Sequence, residues 1–342
     1  MSASHPILSR LDTGRPLLVS GDPLASLVAR GVQLQGPAAL GRLLREHPST
    51  VREHYHQEIS SGVDVLCCLT ADTIPRALQQ IGMPFRSAAL TGDAVELALD
   101  AAELTPRPLI VAGVLGNTDV PPVAEDRVGE ELATHAARLA AAGCELILAR
   151  GFGAARATDS AFTRLARRAA IVSGAMTQLP TWAVVALDWG GFTSDGAPAD
   201  VCAGHAFEEG AQVVVFEIPG AEVGLGWVDR LLNVCSTSSH RRPESAARPH
   251  APASADTSDI RHLGFALAAG SLEPDAWAHE ARRLLEAGVR VVGGGPGTTH
   301  RHVAALAGLL RGQDRQSLWP PAPPPPRAVA LVGGTPKPPR AV

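Results

Sequence analysis

Polar residues stand at or just after the ends of short apolar runs along this chain. Ser20 ends PLLVS and Asp22 follows it; Thr70 and Asp72 follow VDVLCCL; Asn117 follows PLIVAGVL; Arg150 follows CELILA; Asp188 follows WAVVAL; Glu217 lies near the end of QVVVFEI. Such a set suits the binding of a polar small molecule. Carboxylates take cations, whereas a guanidinium presents five N–H donors and a fixed positive charge, and pairs bidentately with a carboxylate or phosphate. The stretch GGGPGTT (293–299) runs from an apolar segment into a helix that should begin near Thr298. Backbone N–H groups around Gly294, Gly295 and Thr298 could hold an anion there. The alternative is a turn that needs glycine only for its geometry. His54 and His56, like His300 and His302, are two residues apart and do not share a helix face, so no metal site is expected from them. Cys67 and Cys68 sit mid-strand and read as buried thiols. No nucleophile and base can be paired from the sequence.

These residues need a frame that brings strand ends together. Short apolar runs alternate with Ala/Leu/Arg-rich amphipathic stretches, the βαβα pattern of a parallel sheet with helices outside it. Strands are expected at 16–20, 63–69, 108–115, 144–149, 182–187, 212–218 and 289–293. Their runs are nearly continuous, as strands buried on both faces require. Helices fit 37–47, 50–61, 73–81, 92–103, 125–142, 158–173, 199–209 and 274–287, several ending in glycine before the next strand. A closed ring needs an eighth strand between 221 and 270, and 230–236 (RLLNVCS) is the best local candidate. The polar, proline-bearing stretch 238–258 after it reads as a long loop. The expected fold class is therefore α/β, a (β/α)8 TIM-type barrel with a degraded seventh βα unit; an open doubly wound sheet is the alternative. In a barrel, sites gather at the C-terminal ends of the strands, where the polar residues above stand.

The barrel is expected over 1–312, and 313–342 is expected to be a disordered Pro-rich tail. That tail could instead serve as a proline-motif ligand for a partner with an aromatic groove. Of 342 residues, 45% are hydrophobic and 19% charged, enough apolar material for one large core. The net charge of −4 gives no electrostatic footprint for nucleic acid or an anionic membrane. Arginine supplies nearly all the positive charge, Lys337 being the single lysine. No apolar run is long enough to span a membrane or to act as a secretory leader. Five cysteines with no CxxC pair fit reduced thiols and a cytoplasmic location. Nothing in the sequence encodes an oligomeric state.

Four segments in order carry a family resemblance. LLVSGDPLASLVARGVQL (17–34) resembles an opening of the form LLLDGAMATELEARG; HPSTVREHYHQEISSGVDVLCCLTADT (47–73) resembles P..V...H..Y..AGAD.I.T.T; SDGAP (194–198) matches an SDG after the fifth strand; VRVVGGGPGTTHRHVAAL (289–306) resembles IGGCCGTTP.HI.AL. Together they resemble the homocysteine S-methyltransferase family over roughly residues 15–310. The resemblance implies a (β/α)8 barrel that methylates homocysteine, with three cysteine thiolates holding a zinc ion that activates the substrate sulfur. It also implies a first-strand Asp and a fourth-strand Glu that bind the substrate ammonium.

The departures decide the expectation. The adjacent cysteines of GGCC align with Gly295 and Pro296, and the third falls near Glu217-Ile218-Pro219-Gly220, fifteen residues before Cys235. The ammonium-binding Asp aligns with Ser20 and the Glu with Arg150, which reverses the charge; Asp22 offers partial compensation. The expectation is a family barrel without zinc or other cofactor, unable to perform zinc-dependent transfer to homocysteine. Its ligand is expected to be a small, anionic molecule drawn by Arg150; the alternatives are that Arg150 pairs with a neighbouring acid such as Glu217 or Asp188, leaving the pocket neutral, and that the barrel is a non-catalytic binder of a partner.

Overall fold

The computed structural model describes residues 9–12, 14–116, 125–152, 160–237 and 261–313. Eight parallel strands close on one another in sequence order. They are β1 (Leu17–Val19), β2 (Val65–Cys67), β3 (Ile110–Leu115), β4 (Leu146–Phe152), β5 (Thr181–Ala186), β6 (Val213–Ile218), β7 (His262–Leu267) and β8 (Val291–Gly294). The ring closes where Leu17, Leu18 and Val19 pair with Val291, Val292 and Gly293. The open-sheet alternative is thereby excluded. Around the ring lie α1 (Ser9–Asp12), α2 (Pro23–Ala29), α3 (Ala39–Glu46), α4 (Pro48–Ser61), α5 (Pro75–Gln79), α6 (Ser87–Glu103) and α7 (Glu125–Ala141). They are followed by α8 (Ser160–Met176), α9 (Ala199–Glu208), α10 (Ala221–Thr237), α11 (Pro274–Glu286) and α12 (His300–Gln313). Among the described residues, no helix is long and apolar enough to cross a membrane.

The seventh unit differs from expectation in two ways. Residues 230–236 belong to α10, not to a strand. Ala221, Gly224, Val228 and Leu231 are buried and Cys235 packs on the core, a 3–4 spacing that only a helix turns to one side. The strand itself is HLGFAL, and it is not degraded. It pairs with β6 at six positions, from Val213↔His262 to Ile218↔Leu267, and with β8 at four. Gly264 interrupts its apolar run for a packing reason: a Cβ there would lie 2.8 Å from the Val291 Cβ. The expected loop 238–258 and the Pro-rich tail lie outside the described residues.

Alternation along the ladders sends every second side chain inward. Trp182, fully buried on β5, shares an inward row with Leu148 and Val213, its paired neighbours. Phe216 and Phe265, at alternate positions of β6 and β7, face the helices, their ring centroids 6.3 Å apart.

β1 is short, and side chains reinforce its seam with β2. The buried Asp64 carboxylate accepts from Leu18 N at 3.0 Å and from Arg10 Nη1 at 2.7 Å, with Arg107 Nη1 3.7 Å away. Removing that carboxylate takes its partner from a buried backbone donor and an acceptor from two arginines at the base of the barrel. Asp64→Ala is expected to lower unfolding free energy by about 3 kcal/mol, read as a shift of the urea midpoint at constant m.

Candidate functional site

The inward positions at the strand ends form the barrel mouth: Cys67 on β2, Arg150 on β4, Ala186 on β5, Glu217 on β6, Ala266 on β7 and Gly293 on β8. Small side chains at 186, 266 and 293 leave the space that Arg150 and Glu217 fill. Arg150 donates from Nε to Glu217 Oε1 at 2.9 Å, and its Nη2 lies 2.7 Å from the same oxygen. Both side chains are mostly buried, at 19% and 15% exposure, so water screens the pair little. Burial works against the Arg150 charge, but Glu217 outweighs it, helped by Cys67 and Asp22, and the guanidinium pKa is raised. Cys67 faces the same space. Burial pushes its thiol up to about 11 although Arg150 pulls the other way, so it is a neutral thiol at neutral pH.

The other expected site residues are engaged within the scaffold. The Ser20 hydroxyl donates to Val65 O at 3.2 Å and accepts from Cys67 N at 3.1 Å, acting as an extra rung between β1 and β2. Thr70 does the same for β3, donating to Val114 O and accepting from Val114 N, both at 2.9 Å. Asp22 caps α2 by accepting from Leu24 N at 2.9 Å; its second oxygen accepts from Gly297 N at 3.0 Å. Asp72 accepts from Leu40 N at 3.0 Å. Asp188 organises its own exposed loop, accepting from Gly190 N and Phe192 N at 2.8 and 2.9 Å. Asn117 lies outside the described residues. Of the nine candidates, the structure thus joins Arg150 to Glu217, and Asp22 to the turn holding Gly294, Gly295 and Thr298.

That turn is closed upon itself. Gly295 N donates to Leu267 O at 2.9 Å, Thr298 N to Gly295 O at 3.2 Å, and Thr299 N to His302 Nδ1 at 3.0 Å. With Gly297 N on Asp22, the N–H groups of Gly295, Gly297, Thr298 and Thr299 already have partners. The glycines are required by proximity. A Cβ at Gly294 would sit 2.1 Å from Thr298 Oγ1, and one at Gly295 would sit 2.6 Å from Ala266 O and 2.9 Å from Ala268 N. At Gly220, after β6, a Cβ would meet the Trp189 ring at 2.9 Å.

With this geometry in view, the comparisons are specific. The sequence pattern of the homocysteine S-methyltransferase family matches residues 20–310. The chain belongs to that family. The crystal structure of the homocysteine methyltransferase MmuM from Escherichia coli, in its metallated form, superposes with a TM-score of 0.69 at 20% identity, covering 89% of this chain and 100% of that one. Its oxidised form gives 0.68 at 19% identity, covering 90% and 100%. A methyltransferase from Methanosarcina mazei gives 0.51 at 12% identity, covering 86% and 93%. Among curated proteins, none matches the chain. At these identities the likeness to solved structures speaks for the fold. The family's SDG segment is here a turn anchored to α8: Asp195 accepts from Arg167 Nη1 and Nη2 at 3.3 and 3.2 Å, and lies 3.2 Å from Arg164 Nε.

Glycine and proline at 295 and 296 offer no side-chain donor, so this turn does not fit the family's zinc ion. Among the described residues, no group of three His, Cys, Asp or Glu side chains is placed to hold a metal.

Polar residues of the helix layer were not singled out as site candidates from the sequence. Glu58 on α4 lies beneath the β1–α2 turn, accepting from Gly21 N at 3.1 Å and Ser26 Oγ at 3.3 Å. Burial raises its pKa to about 7, against the pull of those bonds. Burial lowers that of His135 on α7 to about 4, opposed by its contact with Thr70 O. The available signal was a polar residue at helical spacing on an apolar face: Val51, Tyr55 and Ile59 bracket Glu58.

Two predictions follow from these placements. Gly295→Cys forces a side chain into the end of β7 and is expected to cost roughly 2 kcal/mol or more, read by urea unfolding. The second concerns pH. The folded protein keeps His135 neutral while the unfolded chain protonates below about 6.5. Its contribution is complete above that value and is lost as pH falls toward 4, by at most about 1.4 kcal/mol per pH unit. Glu58 acts oppositely, its contribution being complete below about 4.5 and lost as pH rises through 7. His135→Gln should therefore flatten the fall in stability between pH 6.5 and 4.5, measured as the difference in slope between variant and parent.

Proposed function

We propose that this family member binds a small acidic molecule at its barrel mouth and does not perform zinc-dependent methyl transfer to homocysteine. The observation that carries this reading is the Arg150–Glu217 ion pair inside the mouth. An ammonium entering there would meet a guanidinium, and the carboxylate beside it is already held by that guanidinium. Asp22 and Asp188 are committed to backbone N–H groups, and Ser20 to the β1–β2 seam. Separating a buried ion pair to seat a cation leaves the guanidinium uncompensated, which is costly.

An acidic ligand fits better. Nε and Nη2 converge on one oxygen of Glu217, and Nη1 takes no part in that pairing. A ligand carboxylate could join the same guanidinium from the open side of the mouth. The Cys67 thiol and the small residues at 186, 266 and 293 would form its floor. The loss of zinc chemistry rests on donor chemistry: glycine, proline and glycine at 295, 296 and 220 supply no thiolate.

Two measurements test this. Elemental analysis after gentle purification is expected to find zinc well below one per chain. Calorimetry is expected to show no micromolar binding of homocysteine, and measurable binding of a small carboxylic acid that weakens roughly tenfold in Arg150→Gln. Stoichiometric zinc, micromolar homocysteine binding, or a carboxylate affinity indifferent to Arg150 would each refute the reading.

A further inference from the structure

Outside the barrel, polar atoms from three helices are buried without hydrogen-bond partners: Arg30 Nη1 at the end of α2, His54 Nδ1 and Gln57 Oε1 on α4, and His300 Nδ1 at the start of α12. α4 packs against both α2 and α12. Arg30 acts electrostatically on His54 and on His300, and His300 acts on His54, so the three groups share one neighbourhood. Gln57 lies three residues after His54 and therefore on the same side of α4. His54 is only 2% exposed, whereas Arg30 and His300 are partly exposed and mark the way in from solvent.

Orphaned buried polar atoms are uncommon, and each costs free energy when unpaired, more when the group is charged. A group that accepts hydrogen bonds would satisfy Arg30 Nη1 and the two Nδ1 atoms. The surroundings specify its charge. Arg30 Nη2 pairs with Glu53, but that carboxylate is 65% exposed and neutralises the buried end of the guanidinium weakly. Arg301 adds a second positive charge beside His300. His300 opens a fourteen-residue helix, whose amino end carries positive potential. A metal cation would enter a positive field, and a neutral water would leave the field uncompensated.

We propose that Arg30, His54 and His300 form a binding site for a tetrahedral oxyanion, a phosphate or sulfate group, free or carried on a small molecule. Arg30 Nη1 donates to one oxygen. Each imidazole donates through Nδ1–H to another, a tautomer that the absence of any competing Nδ1 bond permits. Gln57 stands at the edge of the site; its Oε1 is an acceptor, so its amide would flip to turn the NH2 group toward the anion. The site is separate from the mouth: its residues lie on helices, and none of them contacts Arg150 or Glu217.

The probe is inorganic phosphate, titrated into the full-length protein in a phosphate-free, sulfate-free buffer at constant ionic strength and pH 7. Binding is followed by calorimetry and by the histidine ring resonances in two-dimensional nitrogen-15 NMR. The expected result is saturable millimolar or tighter binding that moves the His54 and His300 rings. Sulfate should compete and chloride should not. Arg30→Gln and His300→Gln, both at partly exposed positions, should weaken binding roughly tenfold each. His54→Gln serves as a third variant provided its circular dichroism and unfolding midpoint match the parent. Arg150→Gln should leave the phosphate-induced shifts of the His54 and His300 rings unchanged. The proposal is overturned by any of three results: no saturable phosphate binding, binding unaffected in both Arg30→Gln and His300→Gln, or binding lost in Arg150→Gln alone. The last result would place the anion in the mouth instead.

Discussion

The structure depends on a backbone approach that tolerates no side chain. Gly294 and Gly295 bring the β8–α12 turn against the β1–α2 turn and the end of β7, where Cβ atoms would overlap Thr298, Gly21 and the Ala266 carbonyl. Only glycine permits that contact. It lets Asp22 N reach Thr298 O at 3.1 Å and the Asp22 carboxylate reach Gly297 N, so the first and last units of the ring are tied at the top. The ladder of Leu17–Val19 with Val291–Gly293 closes the ring, and this close approach holds the top of that seam.

Around that closure, several polar residues at strand ends serve the ladders rather than a ligand. Ser20 and Thr70 insert hydroxyls between neighbouring strands, and Asp64 holds a backbone N–H of β1. Each satisfies groups that a twisted, tilted sheet leaves short of partners at its rim. Arg150 and Glu217 are different. They point into the mouth, pair with one another and leave the space nearly neutral. Arg150 does not make the mouth simply positive, because Glu217 crosses the gap left by Ala186 to meet it.

The helix layer has its own electrostatics. Glu58 and His135 are held neutral more readily than in water, with opposite effects on stability as pH changes. Their positions under the β1–α2 turn and behind Thr70 make them supports for the rim. The cluster of Arg30, His54 and His300 sits in that layer too, without such a supporting bond at Arg30 Nη1 or at either Nδ1.

Much of this was readable in the chain. Seven strands and eight helices follow from continuous apolar runs alternating with amphipathic ones, because burial on two faces or on one leaves a direct mark on residue order. Family membership followed from ordered motifs. The seventh strand did not follow, because its glycine weakens the apolar signal and is explained only by Val291 across the ladder. Residues 230–236 read as a strand because a run of Leu and Val is ambiguous until its neighbours show which side is buried. Glu217 and Asp188 were readable as possible partners of Arg150, and the closed ring brings Glu217 to it; the partners of Asp22 and Thr298 were hidden. His54 and His300, each dismissed beside its near neighbour in sequence, lie on two helices that pack together although 246 positions apart. Local pattern records which face a residue turns inward; which groups then meet is decided by the closing of the ring, a long-range event that leaves no local period in the sequence.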